Sequence, residues 1–229
     1  MKKKFMRTFI GFLISLCVFV YGSPSQIFAA EQSVDNMVFA TIKNSSTGET
    51  IQVEPTNIVT EIKSTKLNEN AELCTKCVEV EFSVPEDTLP VRRASSSTSE
   101  GDSSGSYRAD LTITYVKYYD SSYKTNMYLL KTVNGSWTQE DAHVGLHNQS
   151  VAYGCNGARP NVSNQNRTIN LSNKSFSINT GFTKYISDNF MGNICGAAMH
   201  AKLQRAGNTA KWDFTVTCNV VNNGFTWSW

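Results

Sequence analysis

The chain predicts an all-β protein. An antiparallel β-sandwich or flattened barrel is expected over residues 107–229, preceded by a small acidic β segment at 31–85 and a flexible Ser-rich linker at 86–106. Three observations carry this. Val, Ile, Thr, Tyr and Phe recur in short alternating runs broken by Gly, Asn and Ser, and helix signals are scarce. The stretch around Gly207-Asn208 pairs with itself in one register only. Residues 86–106 hold almost no apolar side chain after Val91, so they bury too little surface to offset the entropy of ordering them.

The elements follow in order. Lys2, Lys3, Lys4 and Arg7 precede an apolar run from Phe9 to Val20, too short for a comfortable membrane span. Residues 1–30 therefore read as a secretory signal peptide cleaved near Ala30. Strands are expected at 34–43 and 50–54, around the turn Asn44-Ser45-Ser46-Thr47-Gly48, and at 57–66. Val78, Val80, Phe82 and Val84 alternate with Glu79, Glu81 and Ser83, which predicts a strand with one buried and one acidic face, ended by Pro85.

Beyond the serines, Leu111, Ile113 and Tyr115 alternate with Thr112, Thr114 and Val116. A strand at 126–133 leads to Asn134-Gly135, a hairpin signal into Ser136-Trp137-Thr138. Further strands are expected at 143–153, 167–172 and 175–179. In the last hairpin Leu203 should lie opposite Trp212, Ala201 opposite Phe214, Met199 opposite Val216 and Ala197 opposite Cys218. All of these fall on one face, and a one-residue slip would scramble it. Seven to nine strands are expected from Tyr107 to Trp229.

Charge divides the chain. Residues 31–93 hold eleven acids against six bases, a net of −5, and residues 94–229 hold eight acids against eleven bases, a net of +3. Neither part carries the dense Lys/Arg stripe of a nucleic-acid binder, so no nucleic acid partner is expected. Arg92-Arg93 sits where the acidic part ends and the serines begin, which makes it a candidate processing site.

Five cysteines remain after signal removal. In a secreted chain they predict disulfides. Cys155, in a glycine-rich bend, is expected to bridge Cys195, with Cys218 as a buried small hydrophobe. Cys74 and Cys77 are a candidate local pair; no second C-x-x-C exists to complete a zinc site. His143 and His147 would stand about 13 Å apart on a strand, too far to share one metal. No metal and no cofactor are expected.

Catalytic signatures are lacking. The sequence holds no H-E-x-x-H and no phosphate loop. Cys195 and His200 have opposite parity on one strand, so they should face opposite sides. A serine, His200 and Asp213 could form a triad only if tertiary contacts assembled them. The aromatic residues are more informative. Tyr118, Tyr119 and Tyr123 surround Asp120-Ser121-Ser122, and consecutive strand residues cannot all face inward. They are the candidate ligand contacts, since aromatics with a polar handle suit sugars and protein surfaces. The expectation is a secreted, extracellular, non-enzymatic module that binds a glycan or a cell-surface protein. Its rivals are a secreted antimicrobial or membrane-active effector with an acidic N-terminal pro-segment, and a hydrolase with an unrecognised site.

Overall fold

A computed structural model describes residues 40–53, 63–82, 107–158 and 160–229. The signal segment, the linker at 86–106 and Arg92-Arg93 lie outside the described residues. Within Val38–Trp229, one compact unit, the described residues form twelve strands and no helix. These are β1 (Ala40–Asn44), β2 (Thr50–Val53), β3 (Lys63–Asn68), β4 (Ala71–Phe82), β5 (Tyr107–Asp120), β6 (Thr125–Gln139), β7 (Val144–Asn156), β8 (Asn166–Asn170), β9 (Ser175–Asn179), β10 (Ile186–Ser187), β11 (Ile194–Arg205) and β12 (Trp212–Asn222).

All pairings are antiparallel, and the strands build two sheets. One runs β2-β1-β12-β11-β7-β8. The other runs β10-β6-β5-β4-β3, with β9 also paired to β6. The sheets pack face to face and do not close, so the fold is an open sandwich. Eight strands, β5 to β12, follow the serines.

Alternation builds the core. Val78 and Val80 of β4, Leu111 and Ile113 of β5, and Leu130 and Val133 of β6 are buried on one sheet. They meet Ala197, Met199, Ala201 and Leu203 of β11, and Phe214 and Val216 of β12. Trp137 and Phe214 meet edge-on across the sandwich, ring centres 5.5 Å apart. The β11–β12 register is the one its alternation demands: Leu203 pairs with Trp212, Ala201 with Phe214, Met199 with Val216 and Ala197 with Cys218.

Two expectations change. β6 runs unbroken through Asn134-Gly135, which pair with Thr112 and Leu111 rather than turning. The strands before the serine run are also not set apart from the sandwich. β4 pairs with β5 from Ala71↔Tyr118 to Phe82↔Tyr107, and β1 lies beside β12. The acidic alternation of β4 faces outward while its apolar face completes the common core.

Candidate functional site

One rim of the sandwich gathers three chain turns. Because β4 runs antiparallel to both neighbours, the β3–β4 turn lies beside the β5–β6 turn. The segment linking β10 to β11 is tied to the start of β6. The Asp188 carboxylate accepts hydrogen bonds from Thr125 Oγ1 at 2.6 Å and from Asn126 Nδ2 and Tyr128 OH, each at 3.3 Å. Burial and this carboxylate hold the Tyr128 hydroxyl well above its ordinary pKa. Asp120 shapes the β5–β6 turn, its Oδ1 accepting from the backbone N–H groups of Ser122 and Tyr123.

The three tyrosines take different places. Tyr119 and Tyr123 are 57% and 58% exposed. Tyr118 points to the other face of β5 and is half-buried. It packs edge-on against Tyr185 at 4.9 Å and donates to Asp120 Oδ2 at 3.4 Å. Burial first, then Asp120, raises its pKa.

Beside Tyr119 lies an open groove of about 290 Å³, lined also by Tyr118, Lys66, Asn68, Glu69, Asn70, Glu72, Lys117 and Asn126. Strand register explains the set: Lys66 pairs with Glu72, Glu72 with Lys117, and Tyr119 with Asn126, so they share one overhanging face. Side-chain amides, carboxylates and ammonium groups alternate there beside an aromatic plate. The lining from β3 and β4 was not legible in the sequence, because only the pairing of distant strands carries it to Tyr119.

The thiols fall in three places, and all five are free, so the expected Cys155–Cys195 bridge is not formed. Cys155 and Cys195 are direct cross-strand partners on β7 and β11, both fully buried. Cys155 Sγ lies 3.4 Å from Tyr128 O, and burial pushes the Cys195 thiol well above its usual pKa. Cys74 and Cys77 do not form a local pair: on β4 their odd spacing turns Cys74 into the core and Cys77 to the outer face. Cys218 is buried, as expected, and burial raises its pKa to about 12.

His200 and Asp213 do meet, with Nε2 and Oδ1 3.1 Å apart. The serine that joins them is Ser45, whose Oγ donates to Asp213 Oδ2 at 2.9 Å. Here the carboxylate stands between serine and imidazole. In an acyl-transfer triad the imidazole must stand between serine and carboxylate, so this cluster is wired in the wrong order to activate Ser45. Trp229 stacks on His200 at 5.0 Å. His143 is exposed beside Asp141, which also binds Arg205 at 2.9 Å. Among the described residues no three His, Cys, Asp or Glu side chains are grouped to hold a metal ion.

No family model, no curated protein and no solved structure matches the chain.

Proposed function

We propose that the chain is a secreted, extracellular binding module whose rim groove takes a glycan. The observation behind this reading is the exposed Tyr119 beside a groove lined by Asn68, Asn70, Asn126, Glu69, Glu72, Lys66 and Lys117. Pyranose rings present an apolar C–H face and a rim of hydroxyls. An aromatic plate beside amides and carboxylates matches both. A protein partner fits less well, since a groove of this size accepts a sugar or two rather than a broad surface.

The test is substitution with a stability control. Tyr119→Ala with Tyr123→Ala should abolish retention on the glycans that the wild type selects from a glycan array, and leave Tm within about 2 °C, as expected for exposed positions. Retention by the double variant, or wild-type binding to no glycan, sinks the reading.

Secretion carries a second expectation. An oxidising compartment would convert the Cys155–Cys195 pair to a cross-strand disulfide, since the register already sets the two residues opposite each other. Closing the intervening loop of roughly 40 residues would add about 4 kcal/mol by chain entropy, less any strain in the bridge. Mass spectrometry of unreduced protein should find the Cys155 and Cys195 peptides linked. If both thiols alkylate after denaturation without reductant, the bridge is absent.

A further inference from the structure

Exposed apolar side chains on a soluble protein are ordinarily scattered. Here Leu67, Tyr119, Tyr123, Phe190 and Met191 stand on the rim just described, while Ile169 and Trp229 lie elsewhere. Leu67, Tyr123 and the Phe190-Met191 pair are each held outward by a specific local structure. Leu67 is the extra residue of a β-bulge: Lys66 pairs with Glu72 and Asn68 with Ala71, leaving Leu67 unpaired and turned to solvent. Tyr123 rides the turn shaped by Asp120, with Lys124 in the left-handed region at φ 52°. Met191 is 85% exposed at the tip of the β10–β11 connection. That connection is clamped at its base by Asn193 Nδ2 donating to Ser187 O at 2.8 Å and by Asn223 Nδ2 donating to Phe190 O at 2.9 Å. These apolar tips are therefore presented by a braced scaffold.

Their arrangement selects the partner. The tips run from β3 past β5 to the segment after β10, along the strand ends of one sheet, a row about 20 Å long at the usual strand spacing. A row of separate projecting tips suits a fluid apolar phase better than a partner that must offer one matching pocket for each. The rim charges nearly cancel: Lys66, Lys117 and Lys124 stand with Glu69, Glu72, Asp120 and Asp188. Asp120 and Asp188 already accept the hydrogen bonds that shape the rim. That balance fits headgroups carrying both charges rather than an anionic surface. Tyr and Lys are also the residues that span the boundary, with an apolar body and a polar end.

We propose that this rim docks on a lipid bilayer of zwitterionic headgroups, Leu67, Phe190 and Met191 entering the acyl boundary and Tyr119 and Tyr123 lying at headgroup depth. The proposal needs no sugar, so its test stands apart from the glycan test. The measurement is flotation with pure phosphatidylcholine vesicles. Residues 1–30 are left out because Phe9–Val20 would itself enter lipid, and they lie outside the compact unit Val38–Trp229. Wild type should float at both low and high salt. Leu67→Ser with Met191→Ser should lower the partition coefficient at least about tenfold, since two apolar side chains lose their transfer into lipid. Ile169→Ser, an exposed apolar side chain away from the rim, should float as wild type does. Absence of wild-type flotation, equal flotation by the double variant, or binding only to anionic vesicles overturns the proposal. A rim variant that instead changes the protein's mass in lipid-free buffer would show a protein interface there, and overturns it too.

Discussion

Lys76 carries an ammonium group into the sandwich, where a bare charge would be costly. Its Nζ donates to Asn219 O at 2.7 Å. The local geometry of β12 explains that acceptor. Gly196 pairs with Asn219 but Cys195 with Val221, so Val220 is an extra residue and the ladder breaks beside Asn219. The lysine satisfies a carbonyl at the bulge, and burial lowers its pKa. The Asn219 side chain folds over Gly196. A Cβ at Gly196 would collide with Asn219 Oδ1 and stand 2.6 Å from Asn219 Cα and from Cys218 O. Two of these obstacles are backbone and cannot swing away. Gly196→Ala should therefore destabilise by about 1–3 kcal/mol in urea unfolding, the ordinary cost of overpacking; an unchanged midpoint would show that the bulge is free to move. His200 makes a prediction about pH. Burial lowers its pKa below 6.5, outweighing the opposite pull of Asp213, with Lys202 adding to the lowering. The unfolded chain thus takes the proton at higher pH than the folded chain does. The stability contributed by neutral His200 is complete above 6.5 and is lost as pH falls through the window just below it. Asp213, whose own pKa is lowered, weakens the fold only at pH below the 3.8 of an ordinary aspartate. Tm measured from pH 7.5 to pH 5 should fall more for wild type than for His200→Gln, and parallel curves would refute the assignment.

At the scale of elements, β6 shows strand pairing overriding a turn signal. Asn134-Gly135 has the sequence of a tight turn, yet Gly135 sits between Leu111 of β5 and Phe176 of β9. A Cβ there would fall 2.6 Å from the Phe176 ring and 2.9 Å from Asp110 O. The glycine is needed because an aromatic ring from the edge strand lies over the backbone. Gly135→Val should push β9 off β6, costing about 1–3 kcal/mol and exposing the amides of residues 175–179 to hydrogen exchange. Continued protection of those amides would show that the ring can shift without loss. Parity governs β4 in the same way. The spacing of Cys74 and Cys77 resembles a redox motif in sequence, but a strand turns residues three apart to opposite faces. The same spacing on a helix would have brought them together.

At the scale of the whole molecule, the described strands on either side of the serine run are interleaved. β4 is hydrogen-bonded to β5 along its length and β1 to β12, so a cleavage between Phe82 and Tyr107 cuts the covalent chain without separating a layer. Val78, Val80, Ala40 and Ile42, all from the acidic side, are buried in the common core. Limited trypsin treatment that nicks this interval should leave both pieces eluting together in native size-exclusion chromatography and parting only in denaturant. A fragment beginning at Ala94 that refolds alone with a cooperative melt would contradict this. The acidic part is thus poorly suited to be a removable pro-segment: its removal would strip β5 of one of its two hydrogen-bonded neighbours and leave the apolar row of Leu111 and Ile113 at a new sheet edge.

By itself, the sequence determined what depends on neighbours along the chain. Period-two alternation gave the strands and their buried faces, and the hairpin at Gly207-Asn208 gave the β11–β12 register, because one slip would have exposed Ala201, Met199 and Ala197. The exposure of Tyr119 and Tyr123 was legible as well, since three aromatics so close together on a strand and its turn cannot all be buried, but the packing of Tyr118 on Tyr185 was not. Pairing between distant strands was not legible. Nothing local in Lys66, Glu72 or Asn126 says that they stand beside Tyr119, and nothing in Leu67 says that a bulge turns it outward. The placing of Cys155 against Cys195, of Asp213 between Ser45 and His200, and of β4 beside β5 was likewise decided only by the tertiary structure. Local patterns tell a strand which face to bury, but many partners could cover that face, and only packing the two sheets into one common core selects among them.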